Sequence, residues 1–466
     1  RFVARGDLQA PGSWANSFAA TASQESLRLV CSIACRPGFQ LYTADVKGAY
    51  LNAPLDHPIY MRIPRTDDRE LEAARMGGRV WRLRKCLYGL VQSGYEWSKL
   101  LRSLLQALGY RCLDTDHGLY ILERDGGQCY LPTHVDDLFG ATNESALWRW
   151  TIDGLTRDIT FSKEGPASLH LGTVITQAPD GSIYLGQGPF IDDLARENGL
   201  HEATPADTPM PPGTYLEAEG EPLTSGTPEE YRTLVGKLGW LPLTSRPDLA
   251  VAVRSLGRFL QNPREPHMKV ARYCVRYLVG TRKYGICFRE DGAGLLVYSD
   301  SDWAGQPDTR RSRSGWLVWR NGPVAWGSLL QLPHALSSAE AEFYAAATAM
   351  KRALPISFTA VELGVLDPDA PIPILIDNTA AIAILGSENI SRNVRHISLR
   401  WSFVRHLVAQ GIFEPIFVPS EHQAADLFTK ALARARLAEC RDLAGVVDID
   451  ASLLAAGGRM GGHSLV

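Results

Sequence analysis

The chain has 466 residues, of which 45% are hydrophobic and 21% are charged, and its formal net charge is -3. At roughly 100 to 200 residues per domain, this length predicts a multidomain protein. The composition is typical of a globular protein, and no apolar run approaches the roughly 20 residues that span a bilayer, so we expect no membrane partner. Because the net charge is slightly negative, any affinity for nucleic acid must come from local basic patches.

The chain begins with RFVARGDLQA, which lacks the regions of a secretory signal peptide and does not open with Met. We therefore interpret it as a fragment or processed piece that is not secreted. The eight cysteines are scattered, and the only close pair is Cys31 and Cys35. We expect reduced core thiols rather than zinc ligands or disulfides.

Periodicity predicts the elements of the first part of the chain. Apolar residues recur at helical spacing from Ser23 to Cys35, and Phe39 to Val46 predicts a short strand. A helix is predicted from about Gln92 to Leu108. Apolar runs then predict strands at 118–123, 128–133 and 138–142, with a hairpin turn between the last two.

The segment 203–227 is rich in Pro, Gly, Thr and Glu and has no period, so it predicts a linker and the first domain boundary. Prolines interrupt the helical stretches of 231–277, which is typical of a small connecting region. From Gly294 to Leu432, strands, a hairpin and helices alternate, which predicts a mixed α/β domain. The tail ends in AAGGRMGGHSLV and is predicted to be disordered. The expected divisions are 1–202, 203–290, 291–432 and the tail 433–466.

Asp45, at the end of the first strand, and Asp136 and Asp137, at the hairpin turn, form the first carboxylate set. Phosphoryl transfer by two divalent metals needs carboxylates that converge at the ends of neighbouring strands. Mg²⁺ fits because it takes hard oxygen ligands and shares its shell with substrate phosphates. On its own, an Asp-Asp pair is more often a solvated hairpin tip, because Asp is a common turn residue.

The second carboxylate set lies in the C-terminal region and consists of Asp300, Glu340, Asp377 and Asp426. Four acids at strand and helix ends can converge on a two-metal centre that hydrolyses a phosphodiester. Other roles are open for two of them. Glu340 could complete a capping box with Ser337, and Asp377 could favour a helix dipole.

Ordered sequence blocks decide between these alternatives. The first part carries LYTADVKGAYLNAPLDHPIYMRIP at 41–64, WRLRKCLYGLVQSGYEW at 81–97, LPTHVDDLFGAT at 131–142, LHLGTVI at 169–175, YLGQGPFIDDLA at 184–195, LVGKLGWLPLTSRPDLAVAV at 234–253 and VRYLVGT at 275–281. The C-terminal part carries YSDSDWAG at 298–305, RSRSGWLVW at 311–319, SSAEAEFYA at 337–345, IDNTAAI at 376–382, RHISLRWSFVR at 395–405 and PSEHQAADLFTKAL at 419–432. In this order they resemble the reverse transcriptase and ribonuclease H region of copia-type retrotransposon polyproteins.

The resemblance runs from the first residue to about Leu432. It implies an α+β or mixed α/β multidomain fold, in which N-terminally truncated fingers and palm are followed by a helical, thumb-like connection and a ribonuclease H-like domain. It implies two Mg²⁺ ions per active site, with Mn²⁺ as an alternative. Their ligands would be Asp45, Asp136 and Asp137 in the polymerase, and Asp300, Glu340, Asp377 and Asp426 in the ribonuclease H domain.

The resemblance also assigns roles around the polymerase carboxylates. Tyr50 would lie under the incoming sugar as a steric gate, and Gln92 would contact the incoming nucleotide. Arg1 would clamp the triphosphate, as guanidinium chemistry suits. In the second set, Asp302 and Glu342 are expected beside the ligands or facing solvent.

The implied activities are RNA-directed DNA synthesis and hydrolysis of the RNA strand in an RNA/DNA hybrid. The implied partners are an RNA template, a DNA primer, the hybrid, deoxynucleoside triphosphates and other polyprotein segments such as gag, protease and integrase. The resemblance also implies a location in cytoplasmic virus-like particles or in the nucleus.

The sequence departs from the family at the catalytic hairpin. The family usually has an apolar run that ends in Tyr-Val-Asp-Asp, whereas this chain has Pro132 and His134 before Val135-Asp136-Asp137. Proline cannot donate to a sheet ladder and is uncommon in a central strand. These departures favour an alternative, a catalytically inactive relic or a domesticated nucleic-acid-binding module. Basic patches at 79–85, 272–283, 310–313 and 392–405 are each more typical of a solvated face than of a phosphate track.

Overall fold

The computed structural model describes residues 2–387 and 398–460, with side chains except at 398–399 and 456–460. The chain forms two compact units. The first comprises residues 1–23 and 38–167, and the second comprises residues 24–37 and 168–466.

The helices and strands alternate along both units. The helices are α1 (Gln24–Ala34), α2 (Arg69–Met76), α3 (Ser93–Ala107), α4 (Ser145–Leu155), α5 (Gly188–Glu197), α6 (Pro228–Thr244), α7 (Ala250–Leu256), α8 (Glu265–Gly280), α9 (Ser338–Glu362), α10 (Thr379–Leu385), α11 (Ser398–Ala409), α12 (Arg434–Leu443) and α13 (Ile449–Met460). The strands are β1 (Gln40–Val46), β2 (Pro54–Arg62), β3 (Val80–Lys85), β4 (Arg111–Cys112), β5 (Leu119–Arg124), β6 (Gly127–His134), β7 (Asp137–Thr142), β8 (Phe161–Pro166), β9 (Leu169–His170), β10 (Thr173–Gln177), β11 (Ile183–Gly186), β12 (Tyr284–Phe288), β13 (Leu296–Asp302), β14 (Arg313–Trp319), β15 (Pro323–Leu330), β16 (Ile372–Ile376), β17 (Phe413–Phe417) and β18 (Val446–Asp448).

The first unit is built on an antiparallel six-stranded sheet with the order β4-β5-β6-β7-β1-β8. Helices α3 and α4 pack on this sheet and bury Trp97, Leu101 and Trp148 in a common core. Burying a large apolar side chain contributes roughly 1.5 to 3 kcal/mol. This core therefore holds β1 beside the hairpin of β6 and β7.

The second unit contains two five-stranded sheets. One is antiparallel, with the order β18-β12-β11-β10-β9. The other has the order β15-β14-β13-β16-β17, with parallel pairing from β13 through β16 to β17. Helix α9 packs against β13 and β14, and its buried residues include Ala345, Ala346 and Ala349.

The structure confirms the prediction of a mixed α/β, multidomain protein. The predicted strand at 39–46, the helix near 92–108 and the three strands around the hairpin correspond to β1, α3 and β5 to β7. Near the end of the predicted α/β region the chain forms two short 3-10 helices, at Ser420–His422 and Ala424–Phe428. The domain boundaries remain predictions, although residues 168–202 group with the second unit.

The prediction of a disordered tail at 433–466 is wrong for residues 434–460. Helix α12 buries Leu437 and Cys440, and β18 pairs with β12 in the register Gly285 to Val447. A three-residue strand has no detectable period, and its partner lies far upstream in the sequence. Composition near the end of the chain therefore could not reveal this packing.

Candidate active sites

A two-residue turn, Val135 and Asp136, joins β6 to β7. Val135 has a φ of 57°, which is rare for a β-branched residue. The indole Nε1 of Trp97 donates to the Val135 carbonyl at 2.6 Å, and the Val46 amide donates to the Asp136 carbonyl at 2.8 Å. The turn is therefore held from both α3 and β1. Backbone strain that persists because its surroundings fix it is common at functional sites.

The carboxylates of the first set are brought together by strand register. Asp45 of β1 lies opposite Asp137 of β7, and the Ser162 hydroxyl donates to the Asp45 carboxylate. Burial, and then the charge of Asp136, raises the pKa of Asp45. Burial and the charges of Asp136 and Asp45 raise the pKa of Asp137, while His134 opposes that rise. The repulsion among these three acids is what a bound divalent cation would relieve.

Tyr50 and Gln92 lie in the same unit, and Arg1 lies outside the described residues. Tyr50 is half-buried, its ring is 4.8 Å from that of Tyr88, and burial and the charge of Asp136 raise its pKa. Gln92 is 2% exposed, and its Oε1 accepts from Gln9 at 3.1 Å. Its Nε2 has no partner among the described residues. Buried donors are normally paired, so this amide is free to donate a hydrogen bond to an acceptor atom of a ligand.

The departures at Pro132 and His134 have local consequences. Pro132 lies within β6, opposite Leu119 of β5, but the pairing of β6 with β7 is interrupted at Leu131 and Pro132. The cause is the missing N–H of proline. Pairing resumes at Thr133 and His134, so the hairpin tip is preserved. Within the described chain, the buried Nδ1 of His134 has no hydrogen-bond partner.

In the second unit, Asp300 of β13 and Asp377, which follows β16, come together because these strands are parallel neighbours. Glu342 joins them from α9. One carboxylate oxygen from each of the three lies within 4.8 Å of the others. Among the described residues, no other three potential ligands meet that distance, so the first set is more widely spaced.

Burial and mutual repulsion dominate the electrostatics of this cluster. Asp300 is 7% exposed and Glu342 is 6% exposed. Burial, followed by neighbouring carboxylates, raises the pKa of both acids. Glu342 Oε1 accepts from the Ser301 amide at 3.1 Å and hydroxyl at 2.8 Å, while its Oε2 has no partner in the described structure. Converging hard oxygens with a spare buried acceptor fit a divalent cation such as Mg²⁺.

The sequence assigned Glu340 to this cluster, but in the structure Glu342 is the glutamate that lies beside Asp300 and Asp377. The Glu340 carboxylate accepts from the Leu336 amide at 2.8 Å, and its own amide donates to the Ser337 hydroxyl at 3.2 Å. Successive helical residues are about 100° apart, so positions 340 and 342 point in different directions. One sequence signal favours a different role for Glu340, because Ser337 and Glu340 match a capping box, but no local signal identifies Glu342.

Asp426 lies near the cluster but is paired with cations. Its carboxylate is 3.2 Å from Lys430 Nζ and 3.0 Å from Arg436 Nε. Its charge is among the causes that raise the pKa of Asp300, after burial. Asp426 is therefore a neighbour of the three clustered acids whose carboxylate is ion-paired with Lys430 and Arg436.

Gly315 of β14, opposite Asp300, lets the segment that carries Asp426 approach. A Cβ at this position would lie 2.6 Å from the Ala425 carbonyl oxygen. We expect Gly315→Ala to lower the free energy of unfolding by about 1 to 3 kcal/mol through overpacking, measured by urea denaturation. Gly294→Ala is the control, because its Cβ would meet nothing within 4 Å. Equal stability of the two variants would contradict this account of the contact.

The fold therefore brings one set of carboxylates together in each unit. A family model described as reverse transcriptase (RNA-dependent DNA polymerase) matches residues 1–212. The Pol polyprotein from transposon RE1 of Arabidopsis thaliana is 32% identical over 459 residues, which cover 97% of this chain and 30% of the relative. A putative transposon Ty5-1 protein of Saccharomyces cerevisiae is 31% identical over 287 residues, covering 61% of this chain and 91% of that protein.

The chain belongs to the reverse transcriptase family of copia-type retrotransposon Pol polyproteins, which confirms the resemblance found in the sequence. It spans about 30% of the length of the RE1 polyprotein. A solved foamy viral protease-reverse transcriptase in complex with double-stranded DNA aligns with 89% of this chain and 61% of its own, with 13% identity and a TM-score of 0.47. No described helix has both the length and the hydropathy needed to cross a membrane.

Proposed function

We propose that the chain is an RNA-directed DNA polymerase whose second unit hydrolyses the RNA strand of RNA/DNA hybrids. The observation that carries the polymerase proposal is the placement of Asp45 opposite Asp137, with Asp136 in a turn fixed from two sides. The clustering of Asp300, Glu342 and Asp377 supports the nuclease.

In the polymerase site, Asp45, Asp136 and Asp137 would hold Mg²⁺ or Mn²⁺. Such ions, when bound, stabilise the charge on the attacking and leaving oxygens. Tyr50 would support the sugar of the incoming deoxynucleoside triphosphate, and the spare Gln92 amide would donate to that nucleotide. The primer 3′-hydroxyl attacks the α-phosphate on an RNA or DNA template, and pyrophosphate leaves.

In the nuclease site, Asp300, Glu342 and Asp377 would hold the same kind of ion. Ser301 fixes one oxygen of Glu342 and leaves the other for the ligand. Asp426 would become a further ligand of this ion only if it gave up its ion pairs with Lys430 and Arg436. The products would be RNA fragments with 5′-phosphate ends.

The partners follow from the same proposal. They are the RNA template, the DNA primer, the hybrid and the deoxynucleoside triphosphates, together with other polyprotein segments such as gag, protease and integrase. The corresponding compartments are a cytoplasmic virus-like particle or the nucleus.

A second candidate is an inactive relic or a domesticated nucleic-acid-binding module. The interrupted ladder at Pro132 and the unpaired His134 Nδ1 favour it. The preserved hairpin tip and the acidic cluster of the second unit favour activity instead. Catalytic measurements distinguish the two candidates.

We expect Asp136→Asn to reduce primer extension on an RNA template by about 100-fold or more, because one carboxylate that would hold the metal is lost. The measurement is Mg²⁺-dependent extension of a labelled primer. Asp125→Asn is the matched control, because Asp125 is an exposed turn residue with a φ of 51° that Asn also tolerates. Undiminished extension by Asp136→Asn would overturn the polymerase assignment.

A further inference from the structure

A groove of about 890 Å³ lies in the second unit between α6, α7 and the edge strand β15. Its size is within the range of about 300 to 1,000 Å³ that is typical of ligand clefts. Asp300, Glu342 and Asp377 are not among its lining residues. The groove is therefore separate from the acidic cluster of this unit.

The charged residues of this groove are arginines, and we call it the arginine groove. Its lining includes Arg232, Arg254, Arg258, Arg311, Arg313 and Arg400. No described Asp or Glu lines it. Arg232 pairs with Glu229, and Arg258 pairs with Asp308 at 2.8 Å. The other four arginines have no carboxylate within ion-pair distance in the described part of the chain. This concentration of positive charge contrasts with the net charge of -3 of the whole chain.

Arg313 shows that the positive charge is not balanced locally. It is 7% exposed, and among the described residues its guanidinium donates to the hydroxyls of Ser328 at 3.2 Å and Ser255 at 3.3 Å. Burial, and then Arg258, lowers the pKa of Arg313 to about 10, and the charge of Asp302 opposes this only in part. In the described structure Asp302 makes no ion pair with Arg313, and a buried charge without a close counter-charge is costly. An anionic ligand would supply that counter-charge.

Arg311 gives a second, independent indication. Its Nε is buried and has no hydrogen-bond partner among the described residues. Buried donors are normally satisfied, so an acceptor is expected here. Arg254 also lines the groove and is exposed, whereas Arg311 is half-buried and Arg313 is buried. The groove therefore presents guanidinium groups at three different depths. Phosphate groups spaced along a chain match this series, because guanidinium groups bind phosphate in two-point geometry.

The rest of the lining indicates which polyphosphate fits. Trp326 and apolar side chains such as Val235, Leu243 and Leu330 also line the groove, and Arg28 lies over one face of the Trp326 ring. A duplex hides the faces of its bases in the stack, whereas a single strand exposes them to aromatic and apolar side chains. We propose that the arginine groove binds single-stranded nucleic acid, with phosphates on the arginines and bases on the apolar lining. This binding goes beyond the proposed function, since it uses neither set of carboxylates.

The test uses the full chain and a fluorescein-labelled 12-nucleotide oligothymidylate, followed by fluorescence anisotropy in EDTA. We expect Arg254→Gln to weaken binding about tenfold, as for the loss of one charge-assisted contact. The slope of log affinity against log salt should become shallower by about 0.7, the value for one phosphate of a single strand. Arg311→Gln should act in the same direction.

The matched control is Arg196→Gln, which removes one exposed arginine on α5 outside the groove. It should leave affinity and salt slope unchanged. Equal weakening by Arg254→Gln and Arg196→Gln would overturn the proposal. So would tighter binding of a duplex of the same length, or equal displacement of the label by a polyglutamate peptide. Asp300→Asn should bind the probe like the wild type, so inactivity of the carboxylate sites is distinguishable from failure of the groove.

Discussion

Glu342→Gln is expected to reduce cleavage of an RNA/DNA hybrid by at least about 100-fold, whereas Glu340→Gln should retain cleavage within a few fold. Glu342 shares the buried cluster with Asp300 and Asp377 and keeps one oxygen without a protein partner. Neutralising it removes charge where a cation would bind. Glu340, by contrast, accepts from the Leu336 amide at the start of α9.

The two glutamate variants form a matched pair, because both place Gln on the same helix. Cleavage of a hybrid with labelled RNA is measured in Mg²⁺, and urea denaturation checks that each variant folds. We expect Glu340→Gln to lower the free energy of unfolding by about 1 kcal/mol at most through its weakened hydrogen bond. A folded Glu342→Gln that cleaves normally, beside an inactive Glu340→Gln, would restore the assignment made from the sequence.

Arg246→Met is expected to lower the free energy of unfolding by about 3 to 5 kcal/mol, the largest stability effect that we expect. The side chains of Arg246 and Asp248 are both 0% exposed. They share two hydrogen bonds, at 2.9 and 2.7 Å, and the Tyr277 hydroxyl donates to Asp248 at 2.6 Å. Removing the guanidinium leaves the Asp248 carboxylate buried without its counter-charge.

Urea denaturation of the second-unit transition measures this effect. The control is the double variant Arg246→Met with Asp248→Leu, which removes both charges and should recover a large part of the lost stability. A loss below about 1 kcal/mol in the single variant would show that the pair contributes little. A double variant no more stable than the single one would show that packing, not charge, is the cause.

The strands that carry the first carboxylate set were predictable because their signals are local. Alternation marked β1 and the hairpin strands, and the long-range pairing of β1 with β7 then places Asp45 opposite Asp137. The second site was only partly predictable. The parallel pairing of β13 with β16 could be expected from the α/β pattern, but the choice between Glu340 and Glu342 depends on how α9 is rotated against the sheet.

Long-range contacts explain what the sequence analysis missed. Asp426 pairs with Arg436, which lies in the tail that composition predicted to be disordered. The arginine groove is lined by residues from separate elements, including Arg254 of α7, Arg313 of β14 and Arg400 of α11. In the sequence each basic patch is typical of a solvated face, and only the fold brings these residues to one surface.

The most direct test of two separate catalytic sites is to assay primer extension and hybrid cleavage on the same preparations of wild type, Asp136→Asn and Glu342→Gln. The account predicts that Asp136→Asn loses extension and keeps cleavage, and that Glu342→Gln loses cleavage and keeps extension. Loss of both activities in either folded variant would contradict the separation. A folded wild type that binds hybrid but performs neither reaction would favour the relic.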